Sequence, residues 1–285
     1  MPGSHPSSAR YVTLTSGAKM PTLGMGTWRT GERQRDHVRD LAALQQGLDF
    51  GMTLIDTAEM YADGGAEKVI GEAIAGRRDD VFLVSKVYPH HASRRGVVAA
   101  CERSLARLKT DRLDLYLLHW RGEIALSETV AGFEQLRTTG RIRHWGVSNF
   151  DRSDMEELLA LPDGEHCAAN QVLYHLDCRG IEWDLLPFCR RHGMVTMAYS
   201  PFDEGRLLRN RRLAALASRA GVTPAQVALA WLLAQPGVAV IPKATDPVHV
   251  HDNAHALDVD LSAELLAEVD RTFPPPSRAT RLKMI

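Results

Sequence analysis

The sequence predicts a (β/α)8 (TIM) barrel of the α/β class, and three observations carry that expectation. Eight short apolar runs recur along the 285 residues, helical patterns lie between them, and three successive runs finish on ionisable side chains. Barrels of this kind take ~250 residues, and their strands read as nearly continuous apolar runs because both faces are buried. A doubly wound open sheet built from the same elements is the alternative.

The elements follow in order. Residues 1–10, MPGSHPSSAR, are small and polar and read as a flexible tail, without the apolar run of a signal peptide. Residues 11–285 read as one barrel domain, since no low-complexity linker divides them. Segments 11–14 and 19–22 flank Thr15-Ser16-Gly17, which predicts a β-hairpin plugging the bottom of the barrel. Barrel strands are predicted at 23–26, 53–56, 81–86, 113–119, 142–147, 167–171, 194–199 and 238–241. The clearer helices are predicted at 36–50, 65–75, 93–108, 126–138 and 151–161. Thr223-Pro224-Ala225-Gln226 opens another, with Thr223 as cap, Pro224 in the first turn and Gln226 completing a capping box. Asp246-Pro247 opens a further one in the same way, and a short C-terminal tail runs from 273 to 285.

Composition narrows the function. A net charge of -1 provides no cationic surface for nucleic acid or acidic membrane. No apolar stretch reaches the ~20 residues that span a bilayer. Cys101, Cys167, Cys178 and Cys189 form no C-x-x-C pair, which fits reduced thiols in a cytoplasmic protein.

Catalytic groups of such barrels sit at the C-terminal ends of strands. Asp56 ends T-L-I-D, Lys86 ends V-F-L-V-S-K, and His119 ends L-D-L-Y-L-L-H. Tyr61 lies five residues beyond Asp56, in the following loop. Alone, Asp56 reads equally as a helix cap, Lys86 and Tyr61 as solvated rim residues, and His119 as a core histidine. Together they bring an acid, an ammonium and an imidazole to one rim.

Further strings extend the pattern: D-T-A-E-M-Y at 56–61, S-K-V at 85–87, H-W-G-V-S-N-F at 144–150, N-Q at 170–171, Y-S-P at 199–201 and I-P-K at 241–243. In order and spacing this series resembles the aldo-keto reductase family, over almost the whole chain. The resemblance implies a catalytic tetrad of Asp56, Tyr61, Lys86 and His119. Hydride addition leaves negative charge on a carbonyl oxygen, so a positioned acid must protonate it. Tyr61 would be that acid, and a neighbouring Lys86 ammonium would lower its pKa from the free value of ~10. Asp56 would hold Lys86, and His119 would orient the carbonyl oxygen.

The resemblance also implies a cofactor, NADP(H) by preference with NAD(H) possible, and no metal. Tyr199 would stack on the nicotinamide. Ser148, Asn149 and Gln171 would bond its carboxamide, and Gly26, Thr27 and Trp28 would line its side, near Asp56. Ser200, Pro201 and Phe202 through Leu207 would lie over the pyrophosphate. Lys243, Ala244 and Thr245, at a helix start, would meet the adenosine 2′-phosphate, with Asn253 on the adenine side. His249 stands where many members carry arginine, and Asp246 adds a carboxylate, so selectivity for NADPH over NADH is expected to be modest. Gly24-Met25-Gly26 is no dinucleotide fingerprint, since Arg29 occupies the third glycine position. His249, His251 and His255 read as a polar helix face.

Trp28, Tyr88, His119 and Trp120 are the expected substrate contacts, forming an apolar pocket for small carbonyl compounds that the short tail leaves open. A monomer is expected. Two rivals stay in view: an NADPH-binding regulatory subunit with little turnover, and an aldolase-type barrel using Lys86 for a Schiff base.

Overall fold

The alternation of side chains along each strand decides what enters the barrel and what packs outside it. In the computed structural model, residues 11–285 are described, and the tail assigned to residues 1–10 lies outside the described residues. β1 (Tyr11–Thr13) and β2 (Lys19–Pro21) pair antiparallel as the expected hairpin. Eight parallel strands follow: β3 (Gly24–Gly26), β4 (Leu54–Asp56), β5 (Phe82–Val87), β6 (Leu113–Leu118), β7 (Ile142–Ser148), β8 (Cys167–Leu173), β9 (Val195–Tyr199) and β10 (Val238–Val240). Each pairs with its neighbours in chain order. The ring closes where Leu23 bridges Val240, with Val240 N–H donating to Thr22 O at 2.7 Å and Gly26 N–H to Pro242 O at 2.9 Å. Chain-order pairing and closure exclude the doubly wound sheet, whose strand order reverses at a switch point.

Within the ring, Leu54, Val84, Leu115, Leu117, Val195, Met197, Ala239 and Ile241 form one buried cluster. Leu14 and Met20 of the hairpin belong to the same cluster, so the hairpin closes the barrel's lower end. The alternate positions Ile55, Leu83, Tyr116, Leu118, Trp145, Val147, Val172, Ala198 and Val240 join a second cluster beneath the helices. Side chains alternate with a period of two, so the interior position after Leu54 is Asp56, after Val84 Lys86, and after Leu117 His119. The same step leads from Ala169 to Gln171 and from Met197 to Tyr199. The barrel is thus greasy below and polar at its upper layer.

Among the described residues, ten α-helices clothe the strands. α1 (His37–Asp49), α2 (Gly65–Ala73), α3 (Arg94–Leu108), α4 (Leu126–Thr138) and α5 (Arg152–Leu159) fill the five places read from periodicity. They are followed by α6 (Leu185–Arg191), α7 (Arg211–Ala220), α8 (Pro224–Leu233), α9 (Pro247–Ala254) and α10 (Ala263–Thr272). α8 begins on the expected capping box: Gln226 N–H donates to Thr223 Oγ1 at 3.2 Å, and Thr223 N–H to Gln226 Oε1 at 3.0 Å. Asp246 caps α9, accepting from Val248 N–H at 2.8 Å. No described helix is long and apolar enough to cross a membrane.

Arg179, nearly buried, ties the end of the chain to the barrel. It donates to Glu182 at 2.7 and 2.9 Å, to Asp270 on α10 at 2.7 Å and to Phe273 O at 2.5 Å. From there the tail crosses the loop after β8.

Candidate active site

Lys86 is fully buried, which an ammonium tolerates only when paired. Its Nζ donates to Asp56 Oδ2 at 2.7 Å, to Thr57 O at 2.8 Å and to Tyr61 OH at 3.4 Å. Asp56 is itself buried, and its other oxygen accepts from Gln171 Nε2 at 2.7 Å. Thr27 Oγ1 donates to Asp56 O at 2.9 Å. The Tyr61 ring meets His119 edge-on at 5.7 Å between centroids, and Trp28 covers its other side at 5.1 Å. All four residues of the expected tetrad therefore meet at the barrel's upper mouth.

Electrostatics assigns their resting states. Burial works against the Lys86 charge, but Asp56 and Tyr61 outweigh it and hold the ammonium above its usual range. A lysine held charged is not the neutral amine that a Schiff base needs. Burial raises the Asp56 carboxyl; the ion pair with Lys86 and the Gln171 amide oppose this. We read the pair as ionised, given its 2.7 Å contact. Burial also pushes the Tyr61 hydroxyl up, and this outweighs the downward pull of Lys86. The sequence expectation of a net lowering is corrected here: the tyrosine sits in a site too dry for the ammonium to win. Burial, helped by Lys86, depresses His119 well below the ordinary histidine value, so the imidazole is neutral. Its Nδ1 is buried without a hydrogen-bond partner among the described residues.

On the opposite rim, Tyr199 OH donates to Asn149 Oδ1 at 2.9 Å, and Asn149 Nδ2 donates to His119 O and Ser148 Oγ, each at 3.2 Å. Ser148 Oγ donates to Gln171 O at 2.9 Å. Ser148, Asn149, Gln171 and Tyr199 thus form one connected row. Asn149 and Ser200 both adopt positive φ, 59° and 48°, which turns the chain sharply off the ends of β7 and β9. Gly26 lies against the closing edge: a Cβ there would stand 2.8 Å from Ile241 O.

The remaining expected residues are placed as follows. Pro201 is buried, Phe202 half-buried and Leu207 buried in the outer core, while Glu204 and Arg206 between them are exposed. Lys243 is exposed just ahead of α9 and His249 is exposed on its first turn, Ala244 and Thr245 are half-buried, and Asn253 is buried. Tyr88 and Trp120 pack edge to face at 5.0 Å, and Trp120 lies 5.0 Å from His119. The tail runs past Gly180, where Thr280 Oγ1 would lie 2.3 Å from a Cβ, and brings the Ile285 backbone to the Tyr199 hydroxyl, while Trp28 stays exposed.

Sequence reading missed Glu59, which is nearly buried and bonded to the loop after β5. An acid inside D-T-A-E-M-Y was the available signal. It also missed the Gln171 bond to Asp56. A cavity of about 390 Å³ lies beside the mouth, under the tail, but holds none of the four central residues. Among the described residues, Glu134, Asp163 and His166 bring possible ligand atoms within 4.8 Å of one another, far from the mouth, with Arg137 already paired to Glu134 at 2.6 Å. All four cysteines are buried and unpaired.

A parallel barrel whose upper layer gathers a charged, buried lysine, a tyrosine and a neutral imidazole can protonate a carbonyl oxygen, and comparison with known proteins gives the class. Residues 22–273 match the Aldo/keto reductase family. Methylglyoxal reductase YeaE of Escherichia coli is 51% identical over 281 residues, covering 97% of this chain and 99% of that protein. Glyoxal reductase of Bacillus subtilis is 36% identical over 265 residues, covering 91% of each. A crystal structure of an aldo/keto reductase from Klebsiella pneumoniae with NADP and acetate superposes with a TM-score of 0.94 at 53% identity, covering 97% of this chain and 100% of that one. The chain belongs to the aldo/keto reductase family and is an oxidoreductase.

Proposed function

We propose that the chain reduces small reactive carbonyls, dicarbonyls such as methylglyoxal and glyoxal among them, with NADP(H) as cofactor and Tyr61 as proton donor. The observation that carries this reading is the buried contact of Lys86 Nζ with both Asp56 Oδ2, at 2.7 Å, and Tyr61 OH, at 3.4 Å. The names of the two relatives support the substrate class, and the NADP of the Klebsiella structure supports the cofactor.

The residues of the mouth fit such a cofactor. Ser148, Asn149 and Gln171 offer amide and hydroxyl groups suited to a carboxamide, and Tyr199, bonded to Asn149, offers a ring beside them for stacking. Gly26 and Thr27 line the opposite side with little bulk. Lys243 stands near α9 as a cation for a phosphate. When bound, the nicotinamide supplies or accepts the hydride.

The protein's own groups handle the oxygen. His119, neutral and with Nδ1 sealed off, presents Nε2 to the carbonyl oxygen and orients it. As negative charge develops there, Tyr61 gives up its proton, the new O–H bond replacing the phenolic one. Lys86 stabilises the phenolate left behind, and Asp56 keeps Lys86 charged and aimed. Because burial keeps Tyr61 protonated through neutral pH, the resting site is loaded for reduction; oxidation of the alcohol needs the phenolate and gains as pH rises. Every group in this scheme comes from one chain, so a monomer over a single domain, 11–285, suffices, and unpaired cysteines accord with a cytoplasmic setting.

Cofactor selectivity is modest in this reading. Asp246 caps α9 with its carboxylate at the helix end where a phosphate would sit, and His249 lacks the fixed charge and fork of an arginine. A preference for NADPH over NADH beyond roughly a thousandfold, about 4 kcal/mol, contradicts it.

The test is NADPH oxidation with methylglyoxal by wild type and Tyr61→Phe. Loss of the acid should lower kcat by about 10²–10⁴-fold while cofactor binding, read by fluorescence quenching, holds within a few-fold. Near-intact turnover in the variant overturns the assignment.

A further inference from the structure

Glu59 lies two residues before Tyr61 and is nearly buried, yet nothing in the proton chemistry uses it. Its Oε1 accepts from the backbone N–H of Tyr88 at 2.9 Å and contacts His91 Nδ1 at 2.9 Å. Its Oε2 accepts from Arg103 Nη2, on α3, at 3.2 Å. Arg103 Nη2 also lies 3.4 Å from His91 Nδ1, so the three side chains form a closed knot. Burial raises the Glu59 carboxyl, but the Tyr88 N–H and His91 bonds and the Arg103 charge more than offset this and hold it below the usual carboxylate range.

The knot fixes one short piece of chain. Residues Pro89–His91 form a single 3-10 turn, closed by His91 N–H to Tyr88 O at 2.9 Å. Glu59 binds both ends of that turn, through the Tyr88 amide and the His91 ring. Tyr88 in turn packs on Trp120 at 5.0 Å and on His90 at 4.3 Å, and Trp120 leans on His119. Released from Glu59, the turn keeps its internal hydrogen bonds, the Arg103 contact with His91 at 3.4 Å and the bond of Thr129 Oγ1 to Ala92 O at 2.8 Å, but the Tyr88 amide loses the acceptor that holds its ring against Trp120.

We propose that Glu59 is a positioning residue for substrate selection: it joins the loop carrying the proton donor to the turn carrying Tyr88, and so sets the aromatic wall that a bulky carbonyl substrate touches and a small one does not. This rests on the reading of Tyr88, His119 and Trp120 as the substrate side of the mouth. Glu59 itself touches neither substrate nor reacting atoms.

The experiment compares KM and kcat for methylglyoxal and for an aromatic aldehyde such as 4-nitrobenzaldehyde, with NADPH, in Glu59→Ala, Glu59→Gln and Tyr88→Ala. Glu59→Ala should raise KM for the aromatic aldehyde about tenfold, leaving kcat and the methylglyoxal KM within about twofold. Glu59→Gln keeps an acceptor for the Tyr88 amide and should restore most of the lost affinity. The double variant Glu59→Ala with Tyr88→Ala should show no further rise over Tyr88→Ala, since both act through one ring. If Glu59→Ala does not fold, His91→Ala with Arg103→Ala tests the same knot from its exposed side, with an expected three- to fivefold rise in aromatic KM. Unchanged aromatic KM in the folded variants overturns the proposal, as does an equal fall of kcat for both substrates, which would put Glu59 behind Tyr61 instead. Failure of the broader reading is separate, because it shows in Tyr61→Phe alone.

Discussion

Gln171 on β8 donates its side-chain amide to Asp56 on β4 at 2.7 Å, joining residues 115 apart in sequence across the barrel mouth. With Lys86 on its other oxygen, the buried carboxylate has both oxygens bonded. Replacing Gln171 with Ala leaves Oδ1 without a donor in a dry site, which should cost about 1–3 kcal/mol of stability. A urea titration that leaves the midpoint unmoved contradicts this.

Lys86→Met should be more damaging, because it strands a buried carboxylate. The expected loss is about 3–5 kcal/mol, together with loss of turnover. Adding Asp56→Asn to Lys86→Met removes the stranded charge and should recover most of the stability and none of the activity. Thermal melts and NADPH oxidation on the two variants separate the structural from the chemical role of the pair.

Acid should destabilise the fold beginning near pH 6.5. Burial depresses His119, His144 and His175 below their ordinary values. Below ~6.5 the unfolded chain binds protons there that the folded chain refuses, so stability falls as pH falls from that point toward the folded-state values. Each fully coupled histidine contributes up to about 1.4 kcal/mol per pH unit, and less where water reaches the ring, as at half-buried His144. Denaturant titrations at pH 7.5, 6.5 and 5.5 should show a flat step and then a falling one; equal midpoints at all three would count against it.

His249→Arg should tighten NADPH about tenfold, close to 1.4 kcal/mol, and leave NADH unchanged, since the added guanidinium meets only the 2′-phosphate. Fluorescence titration with each cofactor reads this directly. Equal gains for both would mean that the new charge acts on the pyrophosphate instead.

The strands were legible because a strand buried on both faces has few ways to disguise itself. Thr53-Leu54-Ile55-Asp56 and Leu113 to His119 announce both the strand and its polar end. Asp56, Lys86 and His119 follow from that, since period two puts the last interior residue of each strand at the mouth; Tyr61, in the loop after β4, follows only from the family resemblance. What escaped depended on contacts that no spacing reports. α6 is seven residues long with Pro187 inside it, too short for periodicity. α7 did carry signals, with Asn210 capping the amides of Arg212 and Leu213, Leu213, Leu216 and Ala217 buried on one face, and Gly221 in a left-handed conformation at its end. Tyr61 shows the limit most clearly: its neighbour Lys86 was predictable, but the balance between that charge and burial needed the depth of the site. The reach of the tail to Tyr199 likewise depended on its path, not its length.

Barrel closure has a consequence for biosynthesis. The ring is sealed between β3 and β10 by Leu23 with Val240 and by the amides of Val240 and Gly26. A ribosome must therefore deliver about five-sixths of the protein before the first barrel strand meets its last neighbour. Until then the nascent chain carries an unpaired strand edge. The bonding partners of the charged pair, Thr57, Tyr61 and Gln171, all precede that last strand, so the catalytic layer is synthesised in full before the ring around it can shut.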